Sequence, residues 1–145
     1  MKNLLYVLAV FFLMTSAVPK PQTIYLEVTN LKNNKGYILV CIFEDNETFK
    51  KEEEGTFEWK KFPKTSMKNG KMLVKFTLEP GTYGLTLVDD VNGNNDMDYN
   101  FFGLPKEGFG FSNYYHSGMT KPHFDKFSFK VANQEVRLQT KMRYL

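Results

Sequence analysis

The chain is poor in the residue types that form cross-links and catalytic centres. Its 145 residues include one cysteine, two histidines and one tryptophan. A single cysteine excludes an intramolecular disulfide, and Cys41 lies in the apolar run Tyr37–Phe43, where a small buried side chain is expected rather than a nucleophile. The formal net charge is only +3, and acidic and basic residues are mixed along the chain. This balance argues against a nucleic-acid-binding protein.

Long apolar runs are also lacking, except at the N-terminus. Lys2 precedes the apolar run Leu4–Met14, and small residues follow up to Ala17. This pattern is typical of a secretory signal peptide, and the run is shorter than the roughly 20 apolar residues of a membrane-spanning helix. We therefore expect residues 1–17 to be a cleaved signal peptide and residues 18–145 to form one exported domain without a transmembrane anchor. A cleavable signal serves periplasmic and secreted proteins alike.

What the rest of the chain has in abundance is alternation of apolar and polar residues with a period of two, which predicts β-strands. Strands are expected at Ile24–Val28, Tyr37–Phe43, Met72–Leu78, Thr82–Val88, Phe127–Val131 and Val136–Tyr144, with a short one near Phe57–Lys61. The one candidate helix is Thr48–Glu54. The predicted fold is all-β, an antiparallel β-sandwich of about seven strands whose strand order is immunoglobulin-like or transthyretin-like.

Two long connections interrupt this pattern, and the second begins with an unusual density of side-chain oxygens. Residues 89–100 contain four aspartates and four asparagines. Calcium prefers oxygen ligands supplied from alternate residues of a tight loop. The alternate residues here, which we predict as calcium ligands, are Asp90, Asn92, Asn94, Asp96 and Asp98. Gly93 and Asn95 offer the bends, whereas Phe101 stands where an EF-hand has its closing glutamate.

Two interpretations of this Asp/Asn loop remain open. In the first, calcium orders the loop with a dissociation constant on the order of 10⁻⁴ to 10⁻³ M, as in extracellular modules. In the second, the loop is a turn in which aspartate and asparagine side chains bond to nearby backbone amides. The second interpretation explains the residue types but not their even spacing.

An aromatic and glycine-rich stretch follows the loop. Its aromatic residues, which we predict as ligand-binding, are Phe101, Phe102, Phe109, Phe111, Tyr114 and Tyr115. Rings separated by glycines suit a site for a carbohydrate, a peptide or a hydrophobic molecule. The alternative is that the same rings form a small core over one end of the sandwich.

The motifs resemble a family of exported bacterial proteins known as domain of unknown function 2141. The resemblance lies in the order and spacing of Thr29–Gly36, Leu78–Tyr83 and Asp90–Asn113, and it spans nearly all of the chain after the signal. It implies a fold and almost nothing about function. The chain departs from the pattern at Asp89, where members often have histidine, and at Asn95, where glycine is common.

Three functions are compatible with these patterns. The first is a non-catalytic exported β-sandwich with a calcium-ordered loop beside an aromatic binding or interaction surface. The second is a metal-assisted hydrolase that uses Asp89, Glu107, His116 and His123, although their spacing fits no known ligand pattern. The third is a purely structural envelope component. The ligand, the partner and the oligomeric state are not encoded in any pattern of the sequence.

Overall fold

The computed structural model describes residues 19–51 and 59–145. The expected signal peptide, residues 1–17, lies outside the described residues. The helix and strand predicted at Thr48–Glu54 and Phe57–Lys61 fall partly outside them. Their described parts are a helix, α1, at Asn46–Lys50 and a strand at Lys60–Pro63. No helix among the described residues is long and apolar enough to cross a membrane.

Eight strands in the described residues form two sheets. They are β1 (Gln22–Thr29), β2 (Tyr37–Phe43), β3 (Lys60–Pro63), β4 (Met72–Leu78), β5 (Gly81–Asp90), β6 (Gly108–Phe111), β7 (Ser128–Val131) and β8 (Val136–Lys141). One sheet has the order β4-β1-β8, and the other has the order β3-β2-β5-β6, with β7 also paired to β5. The prediction of an all-β fold is confirmed. All strand pairs are antiparallel except β1 and β8, where the first and last strands lie side by side in parallel.

The main core lies between the two sheets. In β1 the buried residues Ile24, Leu26 and Val28 alternate with half-buried ones, so that one face packs inward. They belong to the same buried cluster as Ile38 of β2 and Leu85 of β5, from the other sheet. Apolar faces of two sheets that share one core are the arrangement of a β-sandwich.

The five-stranded sheet is also covered on its outer face. Cys41 and Phe43 point away from the main core, because they alternate along β2 with residues that face it. They join Phe49 of α1, Phe111 of β6, and Phe124 and Phe127 in a second buried group, the outer aromatic cluster. This double coverage explains why Tyr37–Phe43 is apolar on both faces. It also confirms Cys41 as a buried core residue.

Strand β6 was not predicted, because its sequence Gly-Phe-Gly-Phe resembles a loop. It pairs with β5 through Thr86–Asp89 and bonds on its other side to Arg143. Its glycines are required by close packing. An ideal Cβ at Gly108 would lie 2.5 Å from the Tyr144 ring, and one at Gly110 would lie 2.4 Å from the Thr140 methyl group. Strand β6 thus links β5 to the segment that follows β8. It also places the end of the long β5–β6 connection on the outer face of the five-stranded sheet.

Candidate functional site

The Asp/Asn loop starts where β5 ends, and its first carboxylate organises it. Asp90 is wholly buried. Its Oδ1 accepts a hydrogen bond of 2.7 Å from the Gly93 amide, and its Oδ2 accepts one of 3.1 Å from the Asn95 amide. Gly93 and Asn95 have φ values of 78° and 65°, so both make the bends expected of them. A single side chain therefore sets the curl of the loop.

Later side chains continue the same pattern at alternate positions. The side-chain oxygens of Asn92 and Asn94 each accept a 3.0 Å hydrogen bond from the amide two residues further on. Their amide groups in turn donate to the carboxylate of Asp98, at 2.6 Å from Asn92 and 3.2 Å from Asn94. The side-chain oxygens whose alternation suggested calcium ligands thus accept hydrogen bonds from groups of the same loop. Each oxygen that accepts one bond keeps a second lone pair.

Glu107 lies beneath the loop, a position that sequence reasoning did not predict. Its Oε1 accepts from the Val91 amide at 3.1 Å and its Oε2 from the Asp98 amide at 3.4 Å, so it holds both ends of the loop. Burial raises the pKa of Glu107, and the nearby charges of Asp90 and Asp98 raise it further, while the two amides oppose the rise. Glu107 is therefore tied to the loop through two of its backbone amides rather than through its carboxylates.

The hairpin after the loop ends in an exposed turn, residues 100–103, which we call the Phe tip. The Asn100 side chain accepts from the amides of Phe102 and Leu104, at 2.9 and 3.0 Å, and its backbone bonds to Gly103 and Leu104. Phe101 and Phe102 are 97% and 83% exposed. Their rings contact each other edge to face at 5.6 Å. The turn is fixed by hydrogen bonds, and its two rings have no core to fill.

An open groove of about 860 Å³ lies on the outer face of the five-stranded sheet. The loop and hairpin, from Asn95 to Pro105, form one wall. The apolar side chains that line the rest of it include Trp59, Phe49, Val88, Phe109, Phe111 and Met119. We call it the aromatic groove. It combines aromatic rings with loop oxygens such as those of Asp96.

The predicted aromatic ligand-binding residues divide into three groups. Phe109 and Phe111 line the aromatic groove. Phe101 and Phe102 form the Phe tip, while Tyr114 packs against the outer aromatic cluster and Tyr115 lies beneath the Lys141 ammonium. Sequence reasoning missed Tyr99 and Phe49 as groove residues. Tyr99 follows the polar loop and Phe49 lies far away in the sequence, so no local pattern places either residue next to Phe109. Pairing of the strands brings all three to the same groove.

The four residues of the hydrolase hypothesis occupy different environments. Asp89 faces the interior, where it contacts the Lys64 ammonium and the Tyr144 hydroxyl. His123 pairs with exposed Asp125, whose pKa its hydrogen bond lowers, while His116 lines the aromatic groove. Across residues 19–51 and 59–145, no three or more His, Cys, Asp or Glu side chains form a group that could hold a metal ion.

Fold and site together define an all-β sandwich protein whose long connection between β5 and β6 carries the Asp/Asn loop and the Phe tip. The particular family is clear. The chain belongs to the family described as an uncharacterised protein conserved in bacteria (DUF2141), whose profile matches residues 26–139. No curated protein and no solved structure matches the chain. The resemblance found in the motifs is therefore confirmed.

Proposed function

We propose that this chain is an exported, non-catalytic binding protein that holds a carbohydrate chain in the aromatic groove, with the calcium-ordered Asp/Asn loop as one wall. The observation that carries the proposal is the position of the groove. The oxygen-rich loop, from Asn95 to Tyr99, and the aromatic residues Trp59 and Phe109 line the same cavity. Neither feature alone would point to a ligand.

The chemistry of the lining favours a carbohydrate over a purely apolar ligand. Sugar rings have apolar C–H faces that stack on aromatic rings and hydroxyl edges that bond to polar side chains. The groove offers both, with Trp59, Tyr99 and Phe109 as ring surfaces and Asn95 and Asp96 as polar partners. An open groove also suits a chain better than an isolated small molecule.

Electrostatics support calcium as the element that orders the wall. Burial is the main cause of the raised pKa of Glu107, and repulsion from the carboxylates of Asp90 and Asp98 adds a smaller rise. A divalent cation beside them would reverse that repulsion, and oxygen ligands from carboxylates and carboxamides are the set that calcium prefers. The two interpretations of the loop are compatible, because the same oxygens cap the backbone and retain lone pairs.

Titration calorimetry with calcium tests the loop. We expect saturable uptake with a dissociation constant on the order of 10⁻⁴ to 10⁻³ M, lost in Asp98→Asn. That variant keeps the shape of the side chain and removes its charge. Asp125→Asn, which removes an exposed carboxylate paired with His123, is the matched control. No uptake at millimolar calcium would make the loop a structural turn.

Trp59 is the only tryptophan of the chain, so its fluorescence tests the groove directly. Soluble cello-, chito- and malto-oligosaccharides are the probes, with anilinonaphthalene sulfonate as the apolar comparison. We expect a saturable change for one oligosaccharide, weakened in Tyr99→Ala and Phe109→Ala. Tyr25→Ala, on the outer face of the other sheet, is the control. A response to the apolar dye alone would indicate a hydrophobic ligand instead.

Export is tested by the N-terminus of the protein recovered outside the cytoplasm of its bacterial host. A mature chain that begins near Val18 is expected. A purely structural envelope component needs neither a pocket nor an open aromatic face, so the groove and the Phe tip favour a binding protein.

A further inference from the structure

A group of polar side chains around the buried Lys64 takes no part in the proposed site, and two of its members, Asn33 and Tyr144, are half-buried. The side chains of Lys64 and Asp89 are both 0% exposed and contact each other. The Lys64 ammonium lies 3.2 Å from the Asn33 side-chain oxygen, and the Tyr144 hydroxyl donates a 2.6 Å hydrogen bond to Asp89. We call these four residues the interior lysine cluster. They bring an amine, a carboxylate and a carboxamide together at contact distance.

We propose that Lys64 and Asn33 condense into an amide cross-link, with Asp89 as the proton carrier. Each role is filled by a group at contact distance. Lys64 is the nucleophile and touches its base, Asp89, which Tyr144 orients through the other carboxylate oxygen. The Asn33 carboxamide is the electrophile. Its oxygen also accepts a 3.0 Å hydrogen bond from the Lys35 amide, a donor placed to stabilise negative charge there.

The reaction needs no cofactor, oxidant or reductant. Asp89 takes a proton from the Lys64 ammonium, and the free amine attacks the Asn33 side-chain carbon while the carbonyl electrons move to oxygen. The carbonyl then re-forms and the bond to the amide nitrogen breaks. Asp89 gives its proton to that nitrogen and takes the one that the lysine nitrogen loses. The products are one secondary amide and neutral ammonia, and Asp89 keeps the proton that the ammonium lost, so that no charge remains in the cluster.

Burial favours this outcome over a permanent ion pair. Charges sealed from water are unfavourable even when paired, and the cross-link removes the ammonium charge. The cross-link would close a loop of sequence separation 31 and fasten the end of β3, the outermost strand of its sheet, to the β1–β2 connection. A chain with one cysteine cannot form an intramolecular disulfide that would fasten these two segments.

The intact mass of the protein, produced from its whole sequence, tests the proposal. With the N-terminus fixed by peptide mapping, we expect a mass lower by one ammonia, and a branched tryptic peptide that joins Asn33 to Lys64. Lys64→Arg keeps the cation without the reactive amine, and Asn33→Ala removes the electrophile, so both should have the full mass. Asp89→Asn should also have the full mass. Lys61→Arg, a nearby exposed lysine, should still lose ammonia.

Three results would overturn the proposal. One is the full mass with normal tryptic cleavage after Lys64, which leaves an ion pair only. Another is loss of water with a link from Lys64 to Asp89. The third is loss of ammonia that maps to succinimide formation at Asn69–Gly70 or Asn92–Gly93. Because the wild-type mass decides, the test does not depend on folding of a variant.

Tyr144 is a positioning residue in this reaction. In protein recovered unfolded from inclusion bodies at full mass and then refolded, Tyr144→Phe should slow the loss of ammonia, followed by mass against time, while the circular dichroism spectrum stays unchanged. An unchanged rate would remove Tyr144 from the mechanism.

Discussion

Asp89 and Asp90 are neighbours at the end of β5, and both are wholly buried, yet their surroundings differ completely. Successive residues of a strand point to opposite faces. Asp89 points to the interior, where it contacts the Lys64 ammonium and the Tyr144 hydroxyl. Asp90 accepts hydrogen bonds from the amides of Gly93 and Asn95. One carboxylate is balanced by a cation and holds the sandwich together, and the other is balanced by backbone dipoles and shapes a loop.

The largest effect is expected on the Asp89 side of this comparison. Asp89→Ala prevents the proposed cross-link and also leaves the Lys64 ammonium buried without its carboxylate, a loss that by itself typically lowers the free energy of unfolding by about 3 to 5 kcal/mol. Chemical denaturation of wild type and variant measures the difference. The double variant Lys64→Met, Asp89→Leu replaces the pair with apolar side chains and should be more stable than Asp89→Ala. If it is less stable, the loss reflects packing rather than an unpaired charge.

A smaller and more local effect is expected for Asp90. Asp90→Ala removes the charged acceptor of two amides and should lower the free energy of unfolding by about 1.5 to 3 kcal/mol. Hydrogen exchange should accelerate at Gly93 and Asn95 while the amides of the β2–β5 ladder stay protected. Asp96→Ala, whose carboxylate lies on the exposed part of the loop, is the matched control. Uniform acceleration across the sheet would show that Asp90 supports the whole fold.

Glu107 lies beneath the loop, so its effect on the pH dependence of stability tests the charges of the loop separately from the buried Lys64–Asp89 pair. Burial and the charges of Asp90 and Asp98 raise its pKa above the ordinary 4.5 in the folded protein. The folded state then binds the proton more tightly than the unfolded state. The stability from Glu107 is therefore fully present below pH 4.5 and is lost as the pH rises through the raised pKa.

Glu107→Gln cannot titrate, so without calcium the stability of wild type relative to this variant should fall from acidic to neutral pH. Thermal melts at several pH values measure it, with Glu135→Gln at an exposed ion pair as the control. Added calcium should reduce the fall, because the cation favours the ionised carboxylate. A difference that does not change with pH would mean that Glu107 titrates alike in both states.

Local patterns predicted much of this fold. The alternation of Ile24, Leu26 and Val28 directly reports the buried face of β1, and the double-faced run at Tyr37–Phe43 reports a strand covered twice. Strand β6 was missed because its glycines look like those of a loop, whereas in the structure they make room for the side chains of Tyr144 and Thr140. Those neighbours are far away in sequence, and no local pattern records them.

The candidate site shows the same limit. The even spacing of oxygens from Asp90 to Asp98 predicted calcium ligands, which stays a prediction, and in the structure oxygens at these alternate positions accept hydrogen bonds from nearby backbone amides. The carboxylate beneath it, Glu107, and the partner of Asp89, Lys64, arrive from other parts of the chain. Lys64 in particular carries no signal, since a lone lysine after a proline is normally exposed. Pairing between strands, rather than residue type, places it in the interior.

The smallest effect on stability is expected at the Phe tip, where the loop that Asp90 begins finally reaches solvent. Phe101→Ala and Phe102→Ala together should change the free energy of unfolding by less than about 0.5 kcal/mol, because exposed side chains contribute little. Chemical denaturation and sedimentation of wild type and double variant are the measurements. A larger loss of stability, together with a smaller sedimenting species, would mean that the rings are buried between copies in solution. Unchanged values would show that both rings stay in water in solution, as their exposure in the single chain predicts, because the hydrogen bonds of Asn100 fix the turn without using either ring.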